Sequence, residues 1–233
     1  METKTEEKEE VQETPPTNEK KKQQKELYWV LGVMIVLILV FLLSNSVFKS
    51  MQTFSYQGLS FAKEKFGEIP VYHYYYIFKT PSSLTGQVTS EFIKYNLFLR
   101  VDPRENNVSV YGEIYLVQGV QTYVSVNPTN LTQCENSSIA IANLASFING
   151  LVVAPAKSAS PIEEIANQSN VPYVTCENYL SEPRILIQAG EQSLIKKENT
   201  NCYVLTVANC EILEVTEKLI VQAIVDAKAR KSF

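Results

Sequence analysis

Cys134, Cys176, Cys202 and Cys210 are the residues of this chain with the widest chemical range. A thiolate can act as nucleophile, redox partner or metal ligand, and each use has its own spacing. No Cys-x-x-Cys pair is present, which excludes the thioredoxin-type redox motif and zinc-ribbon spacing. Cys134 and Cys210 each precede a stretch of helical periodicity, and a helix N-terminus lowers the pKa of a nearby thiol. That is the case for a reactive thiol. The case for structural disulfides is plainer: the count is even, and all four lie beyond an apolar run long enough to cross a membrane. Four cysteines allow three pairings. A straight strand over 203–207 would hold Cys202 and Cys210 roughly 20 Å apart, far beyond the ~4.4–6.8 Å between Cα atoms that a disulfide spans. A 202–210 bond would need a sharp turn at Ala208-Asn209, so pairing 134–176 with 202–210 is the least comfortable option. The other two pairings stay open.

His73 is the only histidine, set between Tyr72 and Tyr74. One histidine cannot make a His-rich metal site, and no Ser or Cys partner lies near it in sequence, so a packed or hydrogen-bonded strand residue is expected. Asp102, Arg104 and Glu105 fall together in a turn. Paired carboxylates serve as acid and base in glycoside hydrolysis only across a cleft at a set separation. Turn chemistry alone accounts for Asp102-Pro103 and Asn106-Asn107. Glu163, Glu164, Glu211, Glu214 and Glu217 read as solvated helix faces. There is no Walker loop, Gly-x-Ser-x-Gly, His-Glu-x-x-His or EF-hand pattern. No catalytic residue, metal ligand or cofactor is expected. The aromatic run from Tyr72 to Phe78 is the most unusual local feature. It is either an exposed stripe for a glycan or partner protein or a central strand buried on both faces, and burial is the expectation.

The compartment of these residues is set by the N-terminal segment. Residues 1–26 carry a charge at nearly every second position and almost no aliphatic side chain, so they are expected to be a disordered, charged cytoplasmic tail. From Leu27 to Phe48 no residue is charged. A helix over this run is roughly 33 Å long, enough to span a hydrocarbon core and longer than a signal-peptide apolar stretch. Lys20, Lys21, Lys22 and Lys25 crowd its N-terminal side, with only Lys49, Lys63 and Lys65 soon after it. By the positive-inside rule the N-terminus is cytoplasmic and 49–233 is an extracytoplasmic domain on a single-pass anchor in the cell membrane. Asn107, Asn130, Asn136 and Asn167 each open an N-glycosylation sequon, and all four lie in that domain. The net charge of −4, without a basic half, argues against a nucleic-acid partner.

Within the domain, residues 54–61 alternate around a Gly58 turn, and Val71–Phe78 forms a strand opened by Pro70. Ile93, Tyr95, Leu97, Leu99 and Val101 share one face of a further strand, followed by Val108–Leu116 and Thr122–Asn127. This half is read as antiparallel. The second half mixes helices over Asn136–Gly150, Ile162–Asn167 and Glu211–Ala229 with short strands at Tyr173–Cys176, Ile185–Gln188, Ser193–Lys196 and Tyr203–Val207. The last helix is expected to lie on a sheet, with Ile212, Val215, Leu219, Ala223 and Ile224 as its apolar stripe. The fold class is α+β (mixed α/β), one domain behind one transmembrane helix.

Residues Tyr95–Asn106, Pro172–Cys176 and Asn201–Leu213 together resemble a group of single-span membrane proteins of small-genome archaea. The resemblance implies a cell-surface setting and supplies neither an activity nor a catalytic residue. The expected function is a binding or scaffold module, or a subunit of an envelope complex, with a protein or glycan partner. The alternatives are an envelope enzyme using a thiol or carboxylates, and a solute-binding protein tethered beside a transporter.

Overall fold

The computed structural model describes residues 18–82, 89–150 and 155–230. They fall into two compact units, divided between Met51 and Gln52. The first holds helix α1 (Asn18–Gln52). Its segment Lys25–Ser44 has a mean hydropathy of 2.8 and every side chain exposed, so it is apolar enough to cross a membrane and nothing within the unit covers it. The helix begins before Leu27, so residues 18–26 are helical where a disordered tail was expected. Glu, Lys and Gln are strong helix formers, and here they extend a helix already nucleated by the apolar run. The remainder of the expected tail, 1–17, lies outside the described residues.

The second unit opens with strands β1 (Thr53–Tyr56), β2 (Leu59–Phe66), β3 (Ile69–Ser82) and β4 (Thr89–Leu99), antiparallel in the order β1-β2-β3-β4. Gln57 and Gly58 both have positive φ, the turn that matches strand twist in a two-residue hairpin loop. Period-two patterning sends Leu59, Phe61, Tyr72, Tyr74, Leu97 and Leu99 inward.

A six-stranded mixed sheet follows, built from β5 (Ser109–Tyr111), β6 (Thr122–Val126), β7 (Ala156–Ala159), β8 (Arg184–Ala189), β9 (Leu194–Asn199) and β10 (Cys202–Val207) in the order β5-β9-β10-β8-β6-β7. Helices α2 (Ser137–Gly150), α3 (Glu163–Ser169) and α4 (Ile212–Ala229) connect or follow its strands. The expected α+β class is observed. The structure departs from the expected strands in four stretches. β5 and β6 pair in parallel within the second sheet, so the antiparallel set ends at β4. Residues 112–121 form no strand, because side chains take their backbone groups: Ile114 N–H donates to Asp226 (2.7 Å), and the Tyr203 hydroxyl accepts from Tyr115 N–H (2.7 Å) and donates to its carbonyl (2.9 Å). Tyr173–Cys176 contributes a single bridge to Ser160, whereas Ala156–Ala159, read as part of an Ala/Ser/Pro-rich loop, is an edge strand.

Helices α2 and α4 pack side by side between the sheets, and one core runs from Phe61 and Leu97 through Leu144, Phe147 and Ile220 to Ile185 and Leu205. A Cβ on Gly150 would run into the Tyr95 ring, so α2 meets β4 without room for a side chain there. Two disulfides, Cys134–Cys210 and Cys176–Cys202, close the unit with Cα separations of 5.2 and 5.5 Å. This is one of the two pairings left open by the sequence.

α4 is buried well beyond the expected stripe. Thr216 and Glu217 are enclosed along with Leu213, Ile220 and Ile224. Glu217, read as a solvated carboxylate, is 1% exposed, and its two oxygens accept the backbone N–H groups of Arg100 (2.8 Å) and Val101 (2.9 Å). Burial is the largest cause pushing its pKa up to about 7 from an ordinary 4.5, with Glu214 adding to the rise; the two N–H groups and Arg100 oppose it. The folded chain therefore binds this proton more tightly than the unfolded one. The stabilisation is fully present below about pH 4.5 and is lost as pH rises through about 7, amounting to about 3 kcal/mol. Asp102 acts in the opposite sense, since Arg104 lowers its pKa and its contribution disappears as pH falls. In thermal unfolding of the full chain in mild detergent, Tm should fall between about pH 5 and about pH 8. Glu217→Gln should lower Tm at both values and remove most of the difference; an undiminished difference in that variant would assign the effect to another group.

Candidate functional site

The outer face of the first sheet is where side chains capable of recognition collect. Strand alternation places Val71, His73, Tyr75 and Ile77 of β3 on this face, beside Glu64 and Phe66 of β2 and Lys94, Asn96 and Phe98 of β4. The register joins them: His73 pairs with Ala62 and Phe98, Tyr75 with Asn96, and Phe66 with Ile69. His73 stacks on Phe98 with ring centroids 4.5 Å apart, and Lys94 sits 4.3 Å from the centre of the Tyr75 ring. Nδ1 of His73 lies 2.9 Å from Glu64 Oε1, and Nε2 lies 3.1 Å from Asn96 Oδ1. A neutral imidazole has one N–H, so it satisfies both neighbours only when the Asn96 amide turns to donate.

Among the described residues this face is largely open, with α2 reaching it only at Ile139 and Asn143. Tyr75 is 55% exposed, Ile77 54% and Phe98 48%, in contrast to Tyr72 and Tyr74 on the inner face. The aromatic strand is thus buried on one face only, where burial on both was expected. It lies in an antiparallel sheet whose single helical layer covers one side. Towards the β2–β3 turn the face deepens into a groove of about 310 Å³, walled by Phe66, Ile69, Val71, Phe98 and Ile139, with Lys65 and Arg100 among its lining residues. Flat aromatic contact with a polar centre is what this arrangement offers; among the described residues it brings together no nucleophile and base.

The remaining candidates are drawn into structural roles. Asp102 accepts from Arg104 at Nε (3.0 Å), at a terminal guanidinium nitrogen (2.6 Å) and at its backbone N–H (3.0 Å), and the same guanidinium lies 3.9 Å from the Phe54 ring centre. Glu105 instead lines a crevice of about 520 Å³ with Glu191, Glu211 and Glu214, at the carboxyl ends of β8 and β10. Among the described residues no three His, Cys, Asp or Glu side chains are grouped to hold a metal ion. Cys134 and Cys210, the two candidate reactive thiols, are bonded to each other. Asn107, Asn130 and Asn167 are exposed; Asn136 is half-buried, and its carbonyl accepts the first helical bond of α2 from Ala140.

Arg184, not singled out in the sequence, is 1% exposed on the central strand β8. Its guanidinium donates to the carbonyls of Cys176, Asn178 and Asn201 and to Asn199 Oδ1, and no carboxylate pairs with it. Burial lowers its pKa, and four oxygens in place of water hold the charge. It staples the loop that carries Cys176. A lone Arg opening an apolar strand was the available signal.

The two sides of β3 should respond differently to truncation. Tyr74→Ala should cost about 3 kcal/mol in chemical denaturation, through lost burial and a residual cavity, and Tyr75→Ala less than about 1 kcal/mol. Equal losses would mean that the outer face is covered in the folded chain.

Comparison with protein-family models, with curated proteins and with solved structures finds no match.

Proposed function

We propose that this is a single-pass membrane protein whose 52–233 unit works outside the cell membrane as a binding or scaffold module, presenting the outer face of its first sheet to an envelope partner, protein or glycan. The observation that carries the reading is the exposed set Tyr75, Ile77 and Phe98, on the face of the first sheet turned away from the shared core. Soluble monomers seldom leave so broad an apolar face to water unless it is used. The lysines before Leu27 favour a cytoplasmic N-terminus, and two disulfides favour an oxidising exterior for the folded unit. The disulfide between Cys134 and Cys210 counts against a thiol enzyme, since neither sulfur is left to attack. The exposure of Asn107, Asn130 and Asn167 supports their reading as glycan acceptors.

Two measurements test this. Alkylation of intact cells with an impermeant reagent should label all four cysteines only after reduction; labelling that also requires lysis would place the unit inside. A photo-crosslinking residue at position 75 should capture a defined product on gentle solubilisation, and one at position 111, also exposed but on the second sheet, should not. Capture that is absent at 75, or identical at both, would remove the binding-face reading.

A further inference from the structure

The β2–β3 hairpin ends in an apolar tip. Phe66 is 82% exposed and pairs across the turn with Ile69, itself 43% exposed. Gly67, with φ +65°, makes that turn. A phenylalanine so exposed buries little of its ring and so stabilises the fold little. Behind it runs the groove lined by Val71, Phe98 and Ile139, with the cations Lys65 and Arg100 and the carboxylate Glu64. Neither cation forms an ion pair among the described residues, although Arg100 lies close enough to Glu217 to lower its pKa. Two acids stand near them: Glu64, hydrogen-bonded to His73 on the side of the groove away from the turn, and Glu68 in the turn itself. The cations must outreach both to meet a headgroup.

Register puts this tip at the end of the unit where the chain enters. Thr53, the first strand residue, pairs with Ala62; β2 then continues four residues further, through Lys63, to Phe66. That is about 13 Å past Thr53, opposite to the direction in which β1 runs. Only residues 45–52 separate Thr53 from the end of the apolar run at Ser44, a reach of about 30 Å at full extension and less as a helix.

We propose that the β2–β3 hairpin tip docks on the lipid surface, with Phe66 and Ile69 entering the boundary between headgroups and acyl chains and Lys65 and Arg100 against anionic headgroups. The proposal rests on the membrane-anchor reading above. Bulky apolar side chains on a rigid turn, rimmed by long cationic ones, match the chemistry of that layer, where cations meet headgroups and stems stay apolar. Docking would also orient the module: Tyr75 and Ile77 lie roughly 20 and 26 Å further along β3, on the same face, and would be held clear of the bilayer.

Trp29 is the only tryptophan, so quenching by brominated lipids reads one site at a time. The full chain is reconstituted in bilayers of phosphatidylcholine, alone or mixed with phosphatidylglycerol. The native chain reports on the anchor through Trp29. Phe66→Trp and Ile77→Trp, each in a Trp29→Phe background, report on the tip and on the same face further along β3; both sites are exposed, so neither substitution disturbs the core. Expected are strong quenching in the native chain, quenching at position 66 severalfold above that at 77, and a rise at 66 with phosphatidylglycerol that Lys65→Glu with Arg100→Glu abolishes. Quenching in the native chain with equal, weak quenching at 66 and 77 overturns the docking and leaves the anchor standing. No quenching in the native chain overturns both. Quenching at 66 that is indifferent to phosphatidylglycerol overturns the anionic contact.

Discussion

Two backbone N–H groups, at Arg100 and Val101, end on one carboxylate, and the joining of the two sheets depends on it. Where β4 ends its amides have no further strand to bond, and Glu217 supplies both acceptors from the middle of α4. The same helix reaches the first sheet twice more: Lys218 donates to the Tyr56 hydroxyl, as well as to the Asn106 carbonyl in the loop after β4, and Lys228 donates to the Gly58 carbonyl in the β1–β2 turn. On its other side it packs on β9 and β10. A helix with a single apolar stripe could cover one sheet. This one covers two, and beside the shared apolar core its contact with the first sheet is made through polar groups, most of whose partners are backbone atoms. Such bonds are directional, so they fix how the first sheet sits as well as that it is held.

With α4 fixed, the disulfides and Arg184 act at the margins. Cys134–Cys210 ties the approach to α2 to the turn before α4, across a sequence separation of 76. Cys176–Cys202 and the Arg184 guanidinium together hold the 176–182 loop at the start of β8 and β10. Closing long loops limits the unfolded chain most, so the first bridge contributes the larger entropic part. No such device reaches the outer face of the first sheet. Its rigidity comes only from the pairing of β2, β3 and β4 and from the helices beneath.

Much of this was legible from residue order, and the failures have a common cause. Period-two alternation placed β2, β3 and β4, and helical spacing placed α2 and α4, because those patterns reflect a single buried side. The fate of Glu217 and Arg184 was not legible, since a charged residue is buried only when distant groups converge on it, here Arg100 and Val101 in one case and three carbonyls in the other. The loop at 112–121 has the alternation of a strand, but Asp226 and Tyr203 take the bonds a neighbouring strand would have used. The aromatic run was misjudged in the other direction: its composition suits full burial, and only the layer order shows that one face is left largely open. The cluster of Glu64, His73, Asn96 and Phe98 needed the register of three strands, which the sequence of each strand alone does not contain.

An uncovered apolar face is a cost to a free-standing domain, because it exposes a template for unwanted association. A bilayer tether changes that balance. On the membrane-anchor reading proposed above, the tether would confine the unit to a surface, restrict its encounters to that layer, and raise the effective concentration of any partner anchored beside it. Weak flat contacts through Tyr75 and Phe98 would then suffice for assembly on the binding-module reading proposed above. A flat contact of this kind would require a rigid sheet held at one height, and α4, bonded to the end of β4 and packed on β9 and β10, is the element that holds it.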